Sequence, residues 1–319
     1  MQFQQGKPPL GVVYDCDMGN TIDRALALAM LFGLQGKNAL RVIAVSVSKP
    51  NLKAAEYCDV LTRFYTGEPG GFFAPAPIGM ATAAHMDPDT AMLSAPLARQ
   101  NAEGKPQYSC GISKLNDTAD PVAQIRNALT SQFDQNAAVV MAGPATNLAG
   151  VLDLPGTKPL ISKKVKFLCV TDFGRNVAAA RKLLAEWPSP IVYAPAELGN
   201  ALPFPGASIE KDFAWSPAHP VVDAYRAYKP MPYDAPSWAM TAVLHTGRAA
   251  EPDFKLSDPG TLSVADGGAL HFTPSAQGKH RQLIYDPEQK DKIIQLYTEL
   301  ASAKPTGRPA RFRPDVKKK

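Results

Sequence analysis

Three carboxylates, Asp15, Asp17 and Asp23, fall within nine residues near the amino end of a 319-residue chain. They lie between a short apolar run, Val12-Val-Tyr14, and a helical pattern in which Ile22, Leu26 and Ala29 recur at i, i+4 and i+7. Carboxylates at the carboxyl end of a strand that feeds a helix sit where open α/β sheets bind ligands. Acids this close repel one another, so a positive or proton-donating group belongs among them. A hard cation such as Ca²⁺ would gather their oxygens. The guanidinium of Arg24, next in sequence to Asp23, is a second answer. A third is that the acids only cap the helix and solvate its mouth, although their spacing is tighter than capping needs.

The stretch Asp15-Cys-Asp17-Met-Gly19-Asn20-Thr21-Ile22-Asp23-Arg24-Ala25-Leu26-Ala27-Leu28 resembles the amino-terminal motif of the inosine–uridine-preferring nucleoside hydrolases. In a longer variant that motif runs Asp-x-Asp-x-Gly-Asn-Asp-Ile-Asp-Asp-Ala-Leu-Ala-Leu. Two further stretches are similar, Gly143-Pro-Ala-Thr-Asn-Leu-Ala149 after a strand and Pro236-Ser-Trp-Ala-Met-Thr-Ala-Val-Leu244. The resemblance implies an open, mostly parallel, Rossmann-like α/β sheet with helices on both faces. It also implies hydrolysis of the N-glycosidic bond of a ribonucleoside or related glycoside through an oxocarbenium-like transition state.

By matching position, Asp17 becomes the catalytic base and a calcium ligand. Asp15 and the Ala142 carbonyl join the metal set, and Asp23, Asn20, Arg24, Asp172 and Asn176 form the substrate-binding set. Calcium in such a site holds ribose hydroxyls and acidifies a water. The chain departs from the family where Thr21, Arg24 and Ala239 replace Asp, the last two at calcium-ligand positions. Two lost carboxylates and a gained guanidinium work against the metal, so the expectation is calcium weakly held or absent. Two functions stay open: a glycosidic-bond hydrolase with an altered site, or a non-catalytic relative that binds a nucleoside, a sugar or another protein.

The elements that must position these residues are legible as alternating strands and helices. Leu40–Val47, Ala137–Met141, Val165–Val170 and Ile191–Ala194 read as strands, and Asn51–Tyr65 and a segment starting at Asp120-Pro121 as helices. Ala76–Met80 reads as a short edge strand, and Thr261–Phe272 as a hairpin around Asp266-Gly-Gly. Ala81 to Thr118 shows no period and is expected to be a lid or binding loop, carrying His85, Asp87, Asp89, Tyr108 and Cys110. His245, on a helical pattern, reads as structural.

A hydrophobic fraction of 45% and a charged fraction of 20% are those of a soluble globular protein. Residues 1–304 are expected to form one domain and 305–319 a basic, disordered tail. That tail carries six Lys or Arg against the single Asp315, a surplus that equals the whole net charge of +5. The charge is therefore no nucleic-acid signal. The expected partner is a small-molecule nucleoside or sugar, with homo-oligomerisation open and no membrane. Four scattered cysteines suggest neither a disulfide framework nor a zinc site. The chain as written begins without a signal-peptide core; the compartment is cytoplasmic on that reading, periplasmic or secreted if a signal was removed.

Overall fold

Runs of β-branched and small apolar residues, each followed by a helix-forming stretch, build a mostly parallel sheet covered on both faces. The computed structural model describes residues 8–67, 75–174 and 176–305. Its strands are β1 (Leu10–Cys16), β2 (Leu40–Val47), β3 (Ile78–Met80), β4 (Ala137–Ala142), β5 (Val165–Val170), β6 (Ile191–Tyr193), β7 (Lys255–Leu256), β8 (Gly260–Val264), β9 (Leu270–Pro274) and β10 (Arg281–Ile284). The helices are α1 (Ile22–Gly36), α2 (Leu52–Thr66), α3 (Ala91–Ala98), α4 (Pro121–Thr130), α5 (Thr146–Val151), α6 (Thr157–Lys164), α7 (Val177–Glu186), α8 (Ala196–Ala201), α9 (Gly206–Lys211), α10 (Pro220–Tyr228), α11 (Trp238–Gly247) and α12 (Lys290–Ala301).

Eight strands form one sheet in the order β3-β2-β1-β4-β5-β6-β10-β7, all parallel except β7 against β10. β8 and β9 pair separately as an antiparallel hairpin. From β1 the chain moves outward through β2 to β3, then returns to the other side of β1 as β4 and continues to β5 and β6. Strand order therefore reverses between β1 and β4, which opens a crevice at their carboxyl ends.

Two apolar layers sandwich the sheet. On one face Val12, Tyr14 and Cys16 of β1 and Ala138, Val140 and Ala142 of β4 pack with α1, α2, α11 and α12. On the other, Val13, Val139, Met141, Leu168 and Val170 pack with α4, α5 and α7. A strand covered on both faces must be apolar on both, and β1 is buried from Gly11 to Cys16. The helix it feeds is enclosed too, with every residue from Ile22 to Leu34 buried. The fit of α1 against α12 leaves no room at Gly33, where a Cβ would lie 2.0 Å from the Leu300 carbonyl oxygen. Gly33→Ala is expected to destabilise by about 1–3 kcal/mol through overpacking, read as a lower denaturant midpoint.

The aperiodic stretch Ala81–Thr118 differs from expectation in that α3 and a 3₁₀ turn, Leu115–Asp117, lie within it. At eight residues, with Met92 and Leu93 buried beside α2 and α10, α3 is too short to show a helical period. The last helix is preceded by a 3₁₀ turn, Pro287–Gln289, capped by the Asp286 side chain. Residues 306–319 of the basic tail lie outside the described residues. Among the described residues no helix is long and apolar enough to cross a membrane.

Candidate functional site

The loops at the carboxyl ends of β1, β2, β4 and β5 meet at the crevice. Asp15 stands in register between Ser46 of β2 and Met141 of β4. Its carboxylate is fully buried, with Oδ1 accepting from Ser46 Oγ at 2.5 Å and Asn147 Nδ2 at 2.8 Å. Oδ2 has no hydrogen-bond partner among the described residues. Burial pushes the Asp15 pKa from 3.8 to about 7, against the two hydrogen bonds, with the charge of Asp17 adding to the rise.

One turn into α1, the Arg24 guanidinium draws the other acids together. Nε donates to Asp17 Oδ1 at 2.9 Å, and Nη1 lies 3.0 Å from both oxygens of Asp23. Nη2 points toward Asp172 Oδ2, 3.6 Å away on the loop after β5. Arg24 is only 4% exposed. Burial opposes its charge, but Asp23, Asp17 and Asp172 outweigh it and hold the guanidinium protonated even more firmly than usual. Asp23 accepts further from Thr21 Oγ1 and, at 2.8 Å, from the Ala239 backbone N–H at the start of α11. The Asp17 pKa is raised by burial, opposed by the charge of Arg24 and by hydrogen bonds from Asn20 and Arg24.

The other half of Asp17 is held by a short chain of contacts. Asn20 Nδ2 donates to Asp17 Oδ2 at 2.7 Å, and Lys49 Nζ, just beyond β2, donates to Asn20 Oδ1 at 3.0 Å. Ala142 ends β4 beside Cys16. At the next residue, Gly143, a Cβ would lie 2.7 Å from both the Asp17 nitrogen and Ser48 Oγ, so glycine alone lets these loops close up.

Around this centre lie more variable parts. The Asp172 side chain is 53% exposed, and its Oδ1 accepts from Gly174 N at 2.9 Å. Tyr228, ending α10, feels the charges of Asp23 and Arg24, and Tyr193, ending β6, feels that of Asp172. Thr90 Oγ1 ties the start of α3 to the Gly19 carbonyl at 3.1 Å.

Asp15, Asp17, Asn20, Asp23, Arg24 and Asp172 thus come together at one end of the sheet. Asn176 is placed differently: it caps α7, its Oδ1 accepting from Ala179 N at 3.0 Å. Sequence reasoning missed Ser46, Asn147 and Lys49. Only Asn147 lay within a motif that could have singled it out. His245 is buried on α11 and close to the Phe167 ring, its pKa lowered by burial to about 4. A surface cleft of about 570 Å³ lies elsewhere, between α4 and the first half of β2.

Calcium requires about six to eight oxygen ligands, and the residues here do not fit it. Guanidinium nitrogens contact both Asp17 and Asp23, and Ala239 has no side-chain oxygen to offer. Among the described residues no group of three or more His, Cys, Asp and Glu is placed to hold a metal ion.

No protein-family model and no curated protein matches the sequence. Solved structures do. A plant nucleoside hydrolase aligns over 93% of this chain and 100% of its own, with a TM-score of 0.65 and 17% identity. The inosine–uridine-preferring nucleoside hydrolase of Bacillus anthracis aligns over 92% and 99%, with a TM-score of 0.64 and 16% identity. The type III effector protein XopQ, complexed with adenosine diphosphate ribose, aligns over 94% of each chain, with a TM-score of 0.63 and 13% identity. The chain therefore has the fold of the nucleoside hydrolases, with the open, mostly parallel sheet that goes with it.

Proposed function

We propose that this protein binds the ribosyl part of a nucleoside-type small molecule at the carboxyl end of its sheet, with Arg24 supplying the positive charge that a metal supplies elsewhere. The observation that carries the reading is the pairing of Arg24 Nη2 with Asp172 Oδ2 across 3.6 Å. That gap is longer than a good hydrogen bond, so a donor and an acceptor remain side by side at the crevice. A vicinal diol can answer both, one hydroxyl accepting from the guanidinium and the other donating to the carboxylate. Support comes from the neighbouring folds, which include nucleoside hydrolases and the effector complexed with adenosine diphosphate ribose.

The same geometry argues against metal-assisted hydrolysis. A guanidinium stays charged and orients carboxylates, but it does not acidify a bound water as a metal does. Both oxygens of Asp17 already accept hydrogen bonds, which weakens it as a base. A second reading, retained hydrolysis of an N-glycosidic bond, is favoured by Asp15, whose bare Oδ2 and pKa of about 7 suit a proton acceptor.

Calorimetry with ribose, adenosine, inosine and adenosine diphosphate ribose, with and without chelator, separates these readings. Binding indifferent to chelator is expected, without release of free base. Chelator-sensitive turnover at enzymatic rates, roughly 1–10³ s⁻¹, would overturn the proposal. Chelator-resistant turnover would favour the second reading.

A further inference from the structure

Lys49 is only 5% exposed. An ammonium removed from water is costly unless acceptors face it. Among the described residues its Nζ donates to Asn20 Oδ1 at 3.0 Å. Its charge also reaches Asp89, the exposed acid that ends the loop before α3. That carboxyl is held low mainly by hydrogen bonds from Lys53 and Asn51, with Lys49 contributing.

A side-chain amide has an oxygen end that accepts and a nitrogen end that donates, whereas an ammonium only donates. Lys49 therefore dictates that the Asn20 oxygen face it, and the amide nitrogen must then face Asp17 Oδ2, where it lies at 2.7 Å. With Lys49 absent, the amide loses its hold at the oxygen end and is free to swing its nitrogen away from Asp17. Arg24 fixes one oxygen of Asp17 from α1. The Lys49–Asn20 pair fixes the other from β2.

We propose that Lys49 is a positioning residue: through the Asn20 amide it sets the orientation of Asp17, and with it the geometry in which the site receives a ribosyl ligand. The ligand half of this statement rests on the function proposed above; the Asn20 half does not.

The test uses the full chain and four variants: Lys49→Met, Lys49→Arg, Asn20→Ala and the double change Lys49→Met with Asn20→Ala. The Asn20 side-chain amide resonances are assigned by their loss in Asn20→Ala. One strongly shifted proton is expected in the native protein and in Lys49→Arg, and its collapse to an ordinary position in Lys49→Met. An amide unmoved in a well-dispersed Lys49→Met spectrum overturns the proposal.

In the binding arm, ribose and adenosine are titrated into each protein. Lys49→Met and Asn20→Ala are each expected to weaken binding about ten-fold, the scale of one hydrogen bond to a charged group. Because the two act as one unit, the double change should also cost about ten-fold. Losses that multiply to about a hundred-fold, or an unchanged affinity in Lys49→Met, overturn it. If no ribosyl ligand binds even the native protein, the proposed function fails, while the amide resonances still decide the role of Lys49.

Discussion

Arg24→Met is expected to remove about 3–5 kcal/mol of folding stability, the scale for breaking a buried ion pair and leaving its partners behind. The guanidinium engages Asp17 through Nε and Asp23 through Nη1, and both carboxylates are shielded from water. Without it, like charges converge and at least one acid must take up a proton to stay buried. Urea denaturation at neutral pH measures the loss. A cost under about 1 kcal/mol, the range of exposed pairs, would mean that the guanidinium is not the centre of this cluster. The companion change is Arg24→Asp with Ala239→Asp, which restores the oxygens that the nucleoside hydrolase resemblance asks for at both positions. This variant is expected to gain a calcium-dependent rise in melting temperature that the native protein lacks. No gain in a folded variant would sink the idea that Arg24 stands in a former metal position.

The second large effect concerns pH. The Asp15 pKa is raised by burial from 3.8 to about 7. In the unfolded chain the carboxyl ionises near 4, while in the folded protein it keeps its proton until about 7. The stability it contributes is therefore fully present below about pH 4 and is lost as pH rises through 7. At about 1.4 kcal/mol per pH unit, a rise from 3.8 to about 7 corresponds to roughly 4 kcal/mol. Asp15→Asn carries no such titration, so the stability of the native protein relative to this variant is expected to fall by roughly that amount between pH 4 and 8. Paired urea titrations across that range measure it. A constant difference would show that the orphaned Oδ2 has a partner in solution.

The sheet was legible because its buried strands are short apolar runs and helices such as α2 and α4 begin with a recognisable cap, at Asn51 and Asp120. The acid cluster was legible because Asp15, Asp17, Asp23 and Arg24 lie within ten residues on one strand–loop–helix unit. What could not be read is what packing brings from far away. Ser46 reaches Asp15 across 31 positions and Asn147 across 132; Ser46 carries no local signal, and the motif around Asn147 does not say which group its amide meets. No sequence feature marks Lys49, and only the structure buries it. Asn176 shows the converse. Its type suited a sugar contact, yet a polar residue just before a helix also suits a cap, and the cap is what it forms.

The charge cluster also has an order of assembly written into it. Arg24 and Asp17 are seven positions apart, and Asn20 and Asp17 three, so these contacts close loops that even a short fragment can form. The Ala239 N–H reaches Asp23 across 216 positions, and Asp172 reaches Arg24 across 148. Loop closure costs more entropy over longer spans, and contacts distant in sequence form late. The β1–α1 unit can thus neutralise its own acids while the chain is still folding, with the guanidinium screening carboxylates that would otherwise have to enter the core unpaired. A site dependent on an external ion has no such internal counter-charge before that ion arrives. By carrying its cation within the same unit, this chain can complete the most highly charged part of its interior before the two halves of the sheet meet.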